Sequence, residues 1–300
     1  MKREDTISII VILITLISAI AAGFGIFYDF GAGAFEYESI RGKTIEIFGK
    51  GIYQHMSADV AIQGIAQDYI TLFVALPLLA ISLIGYRKKS IKAHFLLAGT
   101  LGYFLVTYLF YLTMGMYNIM FLPYAVLLGL AFFGFFLALK ELSNLDIIKL
   151  FSVKTPNKFV GWFLIINSIS ITFLWLSIIL PPLIDGTIYP PDLNHYTTLI
   201  VQGLDLGLLL PIGFVVGVLL IRKKSSGYLY ATIYVVFLSI FMTALTAKII
   251  AMAMNDVNVI PVIFIIPSIN IICIVSAGLM IKNISTMKIN QGKMNNHTIQ

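Results

Sequence analysis

Charged residues are scarce in this sequence. Only 11% of its 300 residues are charged, whereas about a quarter are charged in an average soluble domain. Hydrophobic residues make up 59%, and the mean hydropathy is +0.95. So few charges cannot cover the surface of a water-soluble protein of this length, and the composition therefore excludes that class.

Cysteine and the common catalytic motifs are almost absent as well. The one cysteine, Cys273, lies in the last apolar run, so it forms no intrachain disulfide and says nothing about the compartment. The chain has no HExxH pattern, no P-loop lysine and no GxSxG, which excludes the zinc proteases, P-loop NTPases and α/β-hydrolases that use them. The sequence predicts no cofactor and no metal site.

Long hydrophobic runs are what the chain does contain. They lie at roughly 7–29, 67–86, 92–113, 118–139, 159–181, 199–221, 227–250 and 259–281. A bilayer core of about 30 Å needs about 20 helical residues, and each run is of that length. The runs lack the alternation of membrane β-strands. The sequence therefore predicts an all-α membrane protein with about eight transmembrane helices.

The positive charge is distributed unevenly between the two sides of this arrangement. Four of the twenty lysines and arginines, namely Arg41, Lys43, Lys50 and Lys248, fall on one side, and the other sixteen fall on the opposite side with both termini. The positive-inside rule then predicts a multi-pass protein of the cell membrane with both termini in the cytoplasm. We expect the basic clusters to contact anionic lipid headgroups of the bilayer rather than nucleic acid.

The N-terminus also allows a second interpretation. A basic pair, an apolar run and the small residues Ala19 and Ala21 are typical of a cleaved secretory signal. The run is longer than most signal sequences, which favours a retained first helix. Cleavage would leave seven helices.

The chain is predicted to consist of two similar halves. Residues 1–140 form the first half, with an outer loop at 30–66, residues 141–158 are a cytoplasmic connector, residues 159–283 form the second half, and 284–300 are a flexible cytoplasmic tail. The second and sixth runs each contain an acid, a proline (Pro77 or Pro211) and the same RKKS ending. These features predict two parallel four-helix repeats, with kinks at the prolines. Independent origin of the features is the alternative.

The outer loop carries signs of local order. Thr44–Phe48 alternates polar and apolar residues, which predicts a short strand, and Ser57 is placed to cap a helix that continues into the second run. The segment Pro190-Pro191-Asp192 precedes the sixth run in the other half. We expect a small cap built from the outer loops of both halves.

Three short strings carry a resemblance to a known group of proteins. They run from Gln67-Asp68 to Leu79, over Gly102-Tyr103-Phe104, and from Leu204-Asp205 to Pro211. In these strings the chain resembles an uncharacterised family of polytopic prokaryotic membrane proteins. The resemblance implies the multi-helix membrane fold and no particular activity.

Two acids are the strongest functional candidates. Asp68 and Asp205 lie about 25–29 Å above the basic ends of their helices, just inside the outer interface. Charged residues at membrane depth are costly and often functional. We expect Gln67, Gln202 and Thr71 to be their hydrogen-bond partners at a proton, cation or substrate site. Solvation at the interface, or an ion pair with Lys248, is the competing interpretation.

The third run carries a polar stripe. Tyr103, Thr107 and Tyr111 are spaced by four residues and share one helix face. The stripe could line a ligand cavity, or it could hold helices together by hydrogen bonds.

Together these patterns favour binding or transport of a small solute, ion or lipid, with the paired acids near the outer mouth. Two other function classes stay open. One is a membrane-embedded enzyme acting on lipid or cell-wall precursors, and the other is a non-catalytic subunit or sensor. A homo-oligomer or a larger membrane complex is compatible with each.

Overall fold

The structure, a computed structural model, describes residues 3–284, and residues 285–300 of the predicted tail lie outside that range. The helices are α1 (Arg3–Phe27), α2 (Ala58–Arg87), α3 (Ile91–Thr113), α4 (Phe121–Ser143), α5 (Ile147–Leu150), α6 (Asn157–Ile184), α7 (Ile200–Ile221), α8 (Ser225–Met254) and α9 (Val262–Lys282), and all except α5 are long and apolar enough to cross a membrane. This confirms the predicted all-α class with eight spans.

Helix α2 begins at Ala58, before the apolar run that starts near residue 67, and this confirms the helix expected to continue from Ser57 into that run. Ser57 precedes its first residue, as expected of a cap, but its side chain makes no capping hydrogen bond. The Ser57 hydroxyl lies 3.2 Å from the Tyr196 hydroxyl instead. The first turns of α2 therefore project beyond the apolar run and join the loops.

The loops at this end form a structure that we call the cap, consisting of residues 28–57 and 185–199. Strands β1 (Phe35–Glu38) and β2 (Thr44–Ile47) pair as an antiparallel hairpin, which confirms the strand expected near residue 44. Arg41 donates hydrogen bonds to the carbonyls of Asn194 and Tyr196 at 3.1 and 3.0 Å. Lys43 donates to the Pro191 carbonyl at 2.7 Å. The cap therefore joins loops from both halves of the chain.

The opposite end of the bundle, the basic end, collects the RKKS segments and the start of α1. Lys89 forms an ion pair with Glu4, and Arg87 donates to the Ser8 hydroxyl at 3.2 Å. Lys92 reaches the Lys282 carbonyl at 3.3 Å. The basic side chains of several helices thus lie at one end, as the positive-inside argument requires, although the side of the membrane stays a prediction.

Helix α8 has the most central position in the bundle. The first four helices pack in a ring, in which α1 contacts α2 and α4, and α3 also contacts α2 and α4. In the second half, neighbouring helices α6 to α9 pack in sequence order. Helix α8 additionally contacts α2 and α3 of the first half. Residues on α8 are therefore positioned to face both halves.

Helices α2 and α7 share an unusual local feature. Each contains one segment of π-helix, Thr71–Ala75 in α2 and Asp205–Leu209 in α7. Each π segment ends one residue before the Leu-Pro pair of its helix. A proline lacks the backbone N–H for a helical hydrogen bond, and a π segment rearranges that ladder, so the kinks expected at the prolines coincide with these segments.

The two halves follow one register over this region. The π segments start at 71 and 205, left-handed residues stand at Lys89 (φ 62°) and Lys223 (φ 53°), and the next helices start at 91 and 225. Each pair differs by 134 positions, as 205 minus 71 does. In this register Asp205 corresponds to Thr71, and Asp68 corresponds to Gln202. The two acids are therefore offset by three residues, about one helical turn.

Close backbone contact holds α6 and α7 together. A Cβ atom added to Gly217 would lie 2.8 Å from the Gly161 carbonyl oxygen, and one added to Gly161 would lie 2.8 Å from that of Gly217. Small residues allow such approach between helices in lipid.

We expect Gly217→Ala to destabilise the protein by about 1–3 kcal/mol, because its methyl group would push against backbone. Gly203→Ala on the same helix is the matched control, since no heavy atom lies within 4 Å of its added Cβ. The free energy of unfolding of both variants in detergent checks this. Equal losses for both would contradict the close contact.

The membrane orientation can be tested with single cysteines. Cys273 is 0% exposed and should not react with a thiol reagent from water. Lys50→Cys in the cap should react with a membrane-impermeant reagent in intact cells, whereas Lys224→Cys at the basic end should react only after permeabilisation. Labelling of both in intact cells would contradict the predicted topology.

Candidate functional site

The carboxylate of Asp68 lies inside the first four-helix ring and is 2% exposed. Two tyrosine hydroxyls donate hydrogen bonds to it, Tyr53 to Oδ2 at 2.5 Å and Tyr111 to Oδ1 at 2.9 Å. Both carboxylate oxygens are thus engaged. Hydrogen bonds of this kind compensate for part of the cost of removing a carboxylate from water.

Tyr53 comes from the cap and not from a membrane span. It lies in a 3₁₀ turn, Gly51–Tyr53, that is buried against the bundle. Burial raises the pKa of Tyr53 well above its ordinary value, and the nearby Asp68 carboxylate raises it further. The Tyr53 hydroxyl therefore keeps its proton over the physiological pH range and acts as a donor.

Helix α1 approaches the other side of the same carboxylate through Gly25. A Cβ atom at this position would collide with Oδ2 of Asp68. The absence of a side chain at Gly25 is thus a requirement for the observed position of the carboxylate.

A second group of hydrogen bonds connects α2 to the polar stripe of α3, through Gln67 next to Asp68 and through Thr71 one turn later. The Gln67 amide donates to the Tyr103 hydroxyl at 2.7 Å and to Thr107 Oγ1 at 3.3 Å. The Thr71 hydroxyl lies 2.8 Å from the Tyr103 hydroxyl and donates to the Gln67 carbonyl. All four side chains are at most 2% exposed. This group joins α2 to α3 beside the π segment.

Asp205 on α7 has a different environment. Its Oδ2 atom accepts a hydrogen bond from the indole N–H of Trp175 on α6 at 2.9 Å. Asp205 is half-buried, as is Gln202 one turn before it. Within the same π segment, the Leu209 carbonyl accepts a hydrogen bond from the Tyr234 hydroxyl of α8 at 2.8 Å.

Lys248 on α8 connects the two acids electrostatically. Its ammonium group interacts by Coulomb attraction with both Asp68 and Asp205. Among residues 3–284, the ion pairs within 4.0 Å all involve other side chains. Lys248 is therefore shared between the carboxylates and not paired in contact with either. We call Asp68, Lys248 and Asp205 the charge centre.

The sequence pointed to most members of this region but not to all. Asp68 does meet Tyr111 of the α3 stripe, and Lys248 does lie within Coulomb reach of both acids. The side chains of Gln67 and Thr71, expected as hydrogen-bond partners of the acids, bond to Tyr103 instead. Gln202, the third expected partner, makes no hydrogen bond to either acid within residues 3–284. Tyr53 and Trp175 were missed. Tyr53 lies in an irregular loop and Trp175 in a uniformly apolar run, so neither gives a periodic signal.

Tyr124 on α4 was also missed, and it completes a tyrosine cluster around Asp68. Its ring packs against Tyr108 and Tyr111, with centroids 5.8 and 5.1 Å apart. It is 4% exposed, and its hydroxyl has no hydrogen-bond partner within the described part of the chain.

Metal ligation finds no support in the described region. Across residues 3–284, no group of three or more His, Cys, Asp and Glu side chains is arranged to hold a metal ion. The charge centre contains only two carboxylates.

Comparison with known proteins adds no assignment, because no family model, no curated protein and no solved structure matches this chain. The resemblance to an uncharacterised membrane family stays a prediction.

The tyrosine hydrogen bonds can be ranked by substitution. Tyr103→Phe should lower the free energy of unfolding by about 1–3 kcal/mol, because Gln67 and Thr71 lose a buried partner. Tyr124→Phe is the matched control, since its hydroxyl has no such partner and its loss should cost much less. Unfolding of both variants in detergent checks this, and a smaller loss for Tyr103→Phe would contradict the network.

Proposed function

We propose that this membrane protein binds a small cationic solute or ion between its two halves and moves it across the cell membrane, with the charge centre as the binding site. The observation that carries the proposal is the position of Lys248. It lies on the central helix and interacts with one acid from each half. A site that involves both halves can respond to their relative movement, as in transporters built from repeats.

The balance of charge favours a cation. Two carboxylates and one ammonium leave one negative charge in excess when all three are ionised. An unbalanced charge in a buried, apolar region is costly. Binding of one positive charge removes the excess, so the site prefers a proton, a monovalent cation or a protonated amine over a neutral or anionic solute.

The shared register of the halves supports internal duplication as part of this proposal. Corresponding helices α3 and α8 pack against each other and run in the same direction. Two repeats related by an axis along the membrane normal would have this arrangement. In that scheme the three-residue offset of the acids makes the two halves of the site chemically different. The enzyme and subunit classes stay predictions, and no contact described above favours either.

Charge movement in proteoliposomes tests the proposal. Jumps in the concentration of H⁺, Na⁺, K⁺ or methylammonium should displace charge in the wild-type protein on a supported membrane. Asp205→Asn should reduce this signal at least about tenfold, equivalent to about 1.4 kcal/mol, because it removes the excess negative charge that favours a cation. Lys248→Gln should lower the cation concentration that gives half of the full signal, because it raises the excess to two negative charges.

Asp59→Asn is the matched control, because Asp59 lies on α2 two turns before the network and belongs to none of its hydrogen bonds. It should keep the wild-type signal. Unchanged charge movement in both Asp205→Asn and Lys248→Gln, with intact expression, would rule out the charge centre as the site.

A further inference from the structure

We propose that Asp68 is a reversible proton-binding site and, resting on the proposed function, that the cation taken up by the charge centre is a proton. The first support is steric. Both carboxylate oxygens are occupied by tyrosine hydroxyls, and Oδ2 also faces the backbone of Gly25 so closely that even a methyl group would collide with it. A metal ion or an amine would have to displace these contacts, whereas a proton adds almost no volume.

The second support is that the network can satisfy both protonation states. In the ionised state, the Tyr111 hydroxyl donates to Oδ1 of Asp68. When a proton from water binds Oδ1, a new O–H bond forms and that oxygen becomes a donor. Tyr111 can then accept this hydrogen bond and turn its own proton toward the Gly64 carbonyl, which lies 3.4 Å away. No buried donor is left without an acceptor by this change.

The third support is the set of groups that face Asp68 from each packed element. The cap contributes Tyr53, α4 contributes Tyr124, and α1 contributes Gly25. Helix α3 contributes Tyr103, Tyr108 and Tyr111. Among residues 3–284, the one cation that interacts with Asp68 is Lys248 of α8, which also interacts with Asp205. One shared ammonium cannot neutralise two carboxylates, so a proton on Asp68 completes the balance.

Tyr53 gives this site a connection to the cap. It is the donor to Oδ2, and it belongs to the same segment of the cap as Arg41, which holds the loop of the second half. Any displacement of the cap that moves Tyr53 removes a hydrogen bond that stabilises the ionised carboxylate. Proton binding at Asp68 is thereby linked to the position of the cap.

Infrared difference spectroscopy of the purified full-length protein in liposomes tests the proposal without a transported substrate. Lowering the pH should produce the carbonyl bands of protonated carboxylic acids. One component, which we call the band, should be absent in Asp68→Asn and present in the control Asp59→Asn. In Tyr53→Phe the band should move to higher frequency, because the carboxyl group loses a hydrogen bond.

A second pair of variants guards against misfolding of Asp68→Asn. Gly25→Ala should shift or abolish the band, because its methyl group displaces the carboxyl group, whereas Gly23→Ala should leave it unchanged, since no heavy atom lies within 4 Å of its added Cβ. A difference spectrum in which Asp68→Asn lacks no component of the wild-type spectrum would overturn the proposal. A spectral change produced by Na⁺ or K⁺ at constant pH and not by acid would overturn it as well.

The two proposals can fail separately. If the band depends on Asp68 but the protein shows no charge movement in proteoliposomes, the proton site is supported and the transport function is contradicted. If Na⁺, K⁺ or methylammonium drives charge movement and the band is absent, the transport function is supported and the proton site is contradicted.

Discussion

The cost of keeping a carboxylate away from water governs the arrangement around α2. A buried carboxylate needs donors and a nearby positive charge, and for Asp68 these come from separate parts of the chain: Tyr53 from the cap, Tyr111 from α3 and Lys248 from α8. Helix α1 contributes space through Gly25. The position of one side chain therefore requires the cap, the first ring and the central helix of the second half to be assembled together, and this requirement links local chemistry to the whole fold.

The features that could be predicted from the sequence are those that depend on long apolar runs and on rare charged residues. Eight spans follow from hydrocarbon thickness, and Asp68, Asp205 and Lys248 stand out because ionised groups are rare at that depth. The partners of the acids were harder to find. Tyr53 is brought to Asp68 by the path of an irregular loop, and the Trp175 indole looks like any other apolar group in its helix until its N–H finds Asp205. Such contacts depend on tertiary packing, which leaves no periodic trace in one sequence.

The sequence motifs and the structure align the two acids differently, and the π segments explain the difference. An RKKS ending and a nearby acid suggest that Asp68 and Asp205 are equivalent, yet the π segments, the helix ends and the left-handed turns align Asp205 with Thr71. A π segment widens the helix by one residue per turn and alters the direction of the side chains before it relative to those after it. Asp205 lies within its π segment and Asp68 lies before its own. The two carboxylates therefore have different partners in otherwise corresponding helices.

Recognition of the second-half loop by Arg41 has a consequence for how this chain can vary. The guanidinium group binds main-chain carbonyls of Asn194 and Tyr196, and every amino acid supplies such an oxygen. Substitutions in that loop can thus leave these two hydrogen bonds in place as long as the backbone path is kept. Arg41 has no comparable freedom, since lysine lacks the planar fork that reaches both oxygens. The contact between Arg41 and the loop that contains Asn194 and Tyr196 therefore depends on the side chain of one partner and only on the backbone of the other. Substitutions in the loop should be tolerated better than substitutions of Arg41.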